Sequence, residues 1–269
     1  MSDETRSAHS RSPLYWLGNS AKTSIIAEIL ERNQAGKALV IFDYGCGDGG
    51  DWPRILHQHP SIKLIGYEPD PTSFRQAQQR LEGCSVELHT GNEIASLQAK
   101  ADYIVSFSVL EHVYDRTAFL SHAKRLLADE GVCFLNYDDG HFRYGIELNR
   151  PSTWGSPLRE WLRSTMSPFL ATLGLSRRYQ RRVVADDIDR LIGRQGFSIQ
   201  RVAYHNLTCL KQLYKTVPSH QQEAFVRHWL EVESALNRDC AANTTIEHHG
   251  DRVNLWQHMP TRTLYLRHK

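Results

Sequence analysis

Short apolar runs recur along the chain, and between them lie segments whose apolar residues return every three or four positions. Val40-Ile41-Phe42 is the first run, and it ends on Asp43. Lys63–Tyr67, Ser85–His89, Ala101–Ser106, Val132–Tyr137, Phe197–Tyr204 and Thr261–Arg267 have the length and β-branched or aromatic content of strands. The intervening helical patterns cover about 51–59, 73–81, 115–128, 185–195 and 220–237. A further helix, with Ile25, Ile26, Ile29 and Leu30 as its apolar face and Ser20 as its expected cap, precedes the first strand. Strands alternating with helices predict an α/β fold with a parallel, doubly wound sheet, and such sheets bind ligands at the carboxyl ends of their strands.

Two stretches break the alternation. Between about 141 and 182 lie eight arginines, two acids, Trp154, Trp161, Met166 and Phe169, punctuated by Pro151 and Pro157. This is too long for a plain loop and predicts one or two helices covering the cleft. A second insertion spans about 209–258. The domain reading is therefore an N-terminal tail at 1–19, mobile over its serine-rich first dozen residues, and one domain at 20–269 whose two insertions form a lid over the substrate. Net charge is only +2, which gives no global electrostatic case for nucleic acid. Five cysteines stand without C-x-x-C pairs, which argues against zinc or a disulfide framework and suits a reducing compartment. No apolar run reaches membrane-spanning length and no signal-peptide core is visible, so a cytoplasmic location is expected and no metal or membrane partner.

The candidate chemistry begins at Asp43-Tyr44-Gly45-Cys46-Gly47-Asp48-Gly49-Gly50. Glycines at alternate positions after a buried strand form a tight turn that lets backbone approach a ligand. A helix starting near Trp52-Pro53 points its free N–H groups at the same place. Gly45, Gly47 and Gly50 satisfy the dinucleotide pattern G-x-G-x-x-G. Asp43, however, would repel a pyrophosphate, while an acid there helps hold a sulfonium and an ammonium. Glu68 ends the second strand about twenty residues on, the spacing of an acid that accepts from both ribose hydroxyls.

Asp43 with Gly45, Gly47 and Gly49 gives D-x-G-x-G-x-G, which resembles the first motif of the class I S-adenosylmethionine (SAM) methyltransferases. Asp102-x-Ile104-Val105-x-x-x-Val109-Leu110-Glu111-His112-Val113 resembles the fourth-strand motif of the small-molecule branch that includes the ubiquinone-biosynthesis O-methyltransferases. The resemblance implies a Rossmann-like seven-stranded sheet whose last strand is antiparallel. It also implies SAM as cofactor, held by Asp43, by the turn residues Tyr44, Gly45, Cys46, Gly47 and Gly49, by Glu68 with Pro69, and by Ser106 and Phe107. The family's adenine-binding acid falls at Asn92 or Glu93, and either side chain can accept from the adenine amino group. Tyr15 is the candidate for the N-terminal tyrosine that closes over the cofactor in such enzymes.

The expected function is methyl transfer to a small-molecule acceptor, with oxygen favoured over nitrogen or carbon. Two other readings compete: an RNA or protein methyltransferase docking through the arginine-rich insertion, and a noncatalytic SAM-binding partner subunit. Nucleic acid is the weaker partner reading because two lids favour a small substrate. An oxygen acceptor of high pKa needs a base. His141 after the fifth strand, His205 after the sixth and His112 in the fourth-strand motif are the candidates, and Tyr137 and Tyr144 are placed in the acceptor pocket.

Overall fold

The computed structural model describes residues 13–33, 37–138, 182–240, 245–248 and 251–269. Its centre is β1 (Leu39–Tyr44), which pairs in parallel with β2 (Ile62–Tyr67) on one side and β4 (Ala101–Phe107) on the other. β3 (Val86–His89) extends the sheet beyond β2, and β5 (Leu127–Asp138) extends it beyond β4, again in parallel. The chain returns through β6 (Phe197–His205) at the far edge, and β9 (Thr261–His268) fills the gap between β5 and β6, antiparallel to both. The order β3-β2-β1-β4-β5-β9-β6 is the expected doubly wound, seven-stranded sheet with its last strand reversed. Strand order turns at β1 and β4, where a crevice opens beyond the carboxyl ends.

Both faces of the sheet are covered. Helices α1 (Ser20–Arg32), α2 (Trp52–Gln58) and α3 (Pro71–Arg80) bury Ile25, Ile29, Ile55 and Ala77 against Ile41, Leu64 and Phe134. On the opposite face, after the single turn α4 (Glu93–Ser96), α5 (Arg116–Leu126) and α6 (Ala185–Arg194) bury Phe119, Leu120, Ile188 and Ile192 against Phe42, Ile104 and Leu135. The central strands carry apolar residues on both faces because both are roofed, which is why they read as continuous runs.

Element starts follow their caps. Asn19, not Ser20, caps α1: its Oδ1 accepts from the Lys22 N–H at 3.2 Å. Ser20 is the first helical residue, and its hydroxyl instead accepts from the Asn206 N–H at 2.8 Å, tying α1 to the end of β6. Asp70 accepts from the Ser73 N–H with Pro71 in the first turn, so α3 starts two residues before the periodicity predicts. Glu130-Gly131 lie inside β5: Leu127 pairs with Ala101 and Val132 with Tyr103, and the residues between bulge out.

The expected second insertion forms α7 (Thr208–Tyr214), α8 (Gln222–Cys240), an antiparallel ribbon of β7 (Thr245–His248) and β8 (Asp251–Asn254), and the turn α9 (Leu255–His258). Trp229 and Val226 of α8 pack with Leu14, Leu17 and Tyr214, so folded structure begins before residue 19, earlier than the tail boundary expected from composition. Asn237 of α8 donates to the Tyr204 carbonyl at 2.8 Å and accepts from its N–H at 2.7 Å, covering part of the open edge of β6. The insertion at 141–182 lies outside the described residues apart from Arg182, as do Tyr144 and His141.

One buried polar cluster locks α6 onto the sheet. Arg262 of β9 makes two 2.8 Å bonds to Asp189 of α6 and donates to the Tyr137 hydroxyl at 2.7 Å. Its side chain is 6% exposed. Removing one partner of such a pair strands the other in low dielectric. Asp189→Ala should therefore destabilise the protein by about 2–4 kcal/mol, read as a lower urea midpoint at unchanged slope.

Candidate functional site

The turn after β1 is shaped by positive-φ glycines. Gly45 sits at φ +90°, and a Cβ there would lie 2.4 Å from Val109, so β1 and the loop after β4 close on each other only around hydrogen. Gly47, at φ +60°, faces the other way: a Cβ would meet nothing within 4 Å. The turn is thus packed on one side and open on the other. On the open side, the Gly47 N–H donates to Glu68 Oε2 at 2.9 Å, and the Asp70 N–H donates to Glu68 Oε1 at 2.9 Å. Each oxygen of this buried carboxylate spends one lone pair on backbone and keeps another.

Asp43 is the penultimate residue of β1, and its carboxylate is buried. Oδ2 accepts from the indole N–H of Trp52 at 2.6 Å, while Oδ1 has no hydrogen-bond partner. Burial pushes its pKa up to about 6; Trp52 and Lys22 pull it down, and Glu68 adds to the rise. Lys22, on the first turn of α1, is the facing cation. Burial lowers its pKa, and Asp43, Asp48 and Asp51 oppose that shift. Its ammonium lies 5.5 Å from the Trp16 ring centre and 5.4 Å from that of Phe107.

Trp16 and Lys22 were not singled out from sequence. Trp16 stands edge-on to Trp52 at 5.6 Å and 6.5 Å from Phe107, and a Cβ on Gly50 would come within 2.6 Å of its indole nitrogen. The aromatic beside the turn is therefore Trp16. Tyr15, expected to close over the cofactor, is instead an anchor: its ring is buried under Arg54, and its hydroxyl donates to Gln58 at 2.5 Å, at the far end of α2. The one-residue difference reflects the backbone at Trp16, which turns through φ +50°.

Several expected residues contribute backbone, with side chains engaged elsewhere. The Tyr44 ring stacks on Phe119 at 4.1 Å and its hydroxyl faces His122. The Cys46 thiol is buried beside Gly66, and burial pushes its pKa up. Ser106 donates to the Tyr44 carbonyl at 3.1 Å, fixing β4 to β1 at the crevice. Pro69 is exposed next to Glu68. Of the adenine candidates, Glu93 already accepts from the Thr90 N–H at 3.0 Å, whereas the exposed Asn92 makes no side-chain capping bond. Tyr137, expected in the acceptor pocket, is fully buried and bound to Arg262.

Among the histidines, His112 lies partly buried on the 3-10 turn Leu110–His112, beyond the carboxyl end of β4. Next to it Glu111 is fully buried. Burial above all, with the Asp138 charge, raises its pKa to about 7, while hydrogen bonding from the backbone of Glu111 and Asp138 and the Arg116 charge offset part of the rise. His205 does not join this group. It lies on the edge strand β6, three strand spacings from β4, on the α1 face and 3.5 Å from Glu233 of α8. At about 4.8 Å per spacing this puts it beyond reach of an atom reacting at β4, which removes it as a base candidate.

Residues 18–202 match the family model described as a methyltransferase domain. The chain is 30% identical over 112 residues to the malonyl-[acyl-carrier protein] O-methyltransferase of a Paenibacillus species, covering 38% of this chain and 41% of the relative. It is 27% identical over 108 residues to the ubiquinone biosynthesis O-methyltransferase of Azorhizobium caulinodans, covering 37% and 40%. The matches thus span about two fifths of the length of these curated relatives. In fold, it resembles a cyclopropane synthase from Mycobacterium tuberculosis, with TM-score 0.50 at 18% identity over 89% of this chain and 84% of the other. No helix among the described residues is long and apolar enough to cross a membrane.

The orphaned carboxylate makes a testable contribution. In the unfolded chain Asp43 ionises near its ordinary value of about 4, and in the folded protein at about 6. The unfolded state loses its proton first, so folding stability falls as pH rises through this window and stays lower above it. Asp43→Asn removes the cost and can keep the Trp52 bond, with Asp48 and Asp51 still facing Lys22. Without cofactor, the variant should match the natural protein in stability near pH 3.5 and exceed it by about 2–3 kcal/mol at pH 7.5, measured by urea unfolding across pH.

Proposed function

The chain belongs to the SAM-dependent methyltransferases, and we propose that it moves a methyl group from SAM to an oxygen atom of a small-molecule acceptor. The observation that carries the reading is the buried Oδ1 of Asp43 near the carboxyl end of β1, which has no hydrogen-bond partner. A pyrophosphate brought to this turn would meet that carboxylate in low dielectric. The cofactor's ammonium is its natural complement. The remaining lone pairs of Glu68 fit ribose hydroxyls, and Asn92 fits an adenine amino group. Lys22, held over Trp16 and Phe107, is placed to pair with the cofactor's carboxylate.

SAM supplies the methyl group when bound. The chain's own contribution is orientation: the turn fixes one end of the site through Gly45 and Val109, and α1 with Trp16 walls the other. Holding two reactants in attack geometry supplies most of the acceleration in such displacements. Trp16 and Phe107 exclude water from the reacting centre without a fixed negative charge that would hold the sulfonium back. Glu111 and His112, beyond the end of β4, border the acceptor side. His141, four residues past Tyr137 in sequence, and His112 are the proposed bases. The fourth-strand motif and the two O-methyltransferase relatives support oxygen as the acceptor atom.

Glu68→Ala leaves the ribose hydroxyls unpaired and should weaken SAM binding by about 2–4 kcal/mol, measured by calorimetric titration. Lys22→Met should weaken SAM more than a decarboxylated analogue, a difference that a purely packing role would not produce. For the acceptor, methyl-labelled SAM is incubated with the protein in a low-molecular-weight cell extract and, separately, with the RNA and protein fractions. Label appearing in a small-molecule methyl ether or ester supports the reading; label confined to RNA or protein contradicts it.

A further inference from the structure

Two aromatic rings beside the glycine turn already hold a cation. The Lys22 ammonium lies 5.5 Å from the centre of the Trp16 ring and 5.4 Å from that of Phe107. The two ring centres stand 6.5 Å apart with their planes at 41°. Both ammonium distances fall within the reach at which the negative face of a ring attracts a positive charge. Asp43, Asp48 and Asp51 attract the same ammonium, so the surroundings of the rings favour a cation as well. The rings are fixed before any ligand arrives. Phe107 is buried at the end of β4. The Trp16 carbonyl accepts from the Asn19 N–H at 2.7 Å and from the Thr23 hydroxyl at 2.9 Å, and its N–H donates to the Asp51 carboxylate. Its indole is backed by Trp52 and by Gly50.

We propose that Trp16 and Phe107 recognise the sulfonium and select SAM over its demethylated product. This inference rests on the cofactor reading above. The sulfur of SAM stands two methylenes from the carbon that bears its ammonium and carboxylate. A cofactor whose amino-acid end meets Asp43 and Lys22 therefore brings its sulfur to the rings that flank Lys22. Pairing of Lys22 with the cofactor's carboxylate offsets the repulsion between the ammonium of Lys22 and the sulfonium. SAM and its product share adenine, ribose and amino-acid groups, which Asn92, Glu68, Asp43 and Lys22 serve in both. They differ at sulfur: when the methyl leaves, the bonding pair stays on sulfur and the sulfonium becomes a neutral thioether. A ring face attracts the first and gives the second only contact. The attraction is weak beside that of a fixed carboxylate, so little is lost as charge leaves the sulfur in the transition state. Its loss after transfer favours departure of the spent cofactor.

The test is calorimetric titration of the full chain with SAM and, separately, with S-adenosylhomocysteine, read as the ratio of the two dissociation constants. Trp16→Leu should shift that ratio against SAM by about threefold or more, and Trp16→Phe, which keeps a ring, should shift it less. Phe107→Leu should move the ratio in the same direction and serves if Trp16→Leu fails to fold. Asp43, Lys22 and Glu68 are unchanged in all three variants, so a change in the ratio reports the rings. Equal weakening of both ligands would show that the rings only pack, and would overturn the proposal, as would a shift of the ratio toward SAM. If the natural protein binds neither ligand, the cofactor reading falls and this inference with it; binding of both with an unmoved ratio removes this inference alone.

Discussion

A carboxylate buried at the end of the central strand is the constraint around which this protein is arranged. Asp43 lies where β1 stops and the chain must turn sharply, and its environment meets only part of its needs. Trp52, the first residue of α2, gives it one hydrogen bond, and Lys22 of α1 gives it a charge at a distance. The Trp52 bond ties the start of α2 to the end of the strand. The turn between strand and α2 can then be only as wide as glycine allows: Gly45 is pressed against Val109 and Gly50 against Trp16. Asp43 Oδ1 is left without a hydrogen-bond partner. A folded chain tolerates such an atom when binding repays the cost, and this arrangement selects a cationic group over a phosphate.

Much of this was legible in the sequence because it is local or periodic. Strands roofed on both faces must be apolar throughout, so β1, β4 and β5 announce themselves. Asp43 and Glu68 follow from position alone, since residues at the carboxyl end of a parallel strand lie at the ligand end whatever surrounds them. Trp16 and Lys22 were missed because their role depends on the path of the chain before α1, which packs against Trp229 more than two hundred residues away. Tyr15 and Trp16 are adjacent aromatics, and only the left-handed backbone at Trp16 decides which one faces the turn.

His205 was misread for a related reason. A histidine just past a strand looks the same whichever face it takes, and β6 carries a register shift between Ile199 and Arg201 that resets the alternation. The shift puts Arg201 and His205 on the α1 face, with Glu28 and Glu233, rather than toward the crevice. The same helix α1 presents Lys22 to the glycine turn and Ser24 and Glu31 to an open cleft beside β6.

The central claim is that the Asp43–Gly47–Glu68 constellation accepts a sulfonium nucleoside and refuses a dinucleotide. Parallel calorimetric titrations of the full chain with SAM, its demethylated product and NAD test it most directly. The account predicts saturable 1:1 binding of SAM and of the product, and no measurable heat with NAD. Binding of NAD without binding of SAM would contradict it.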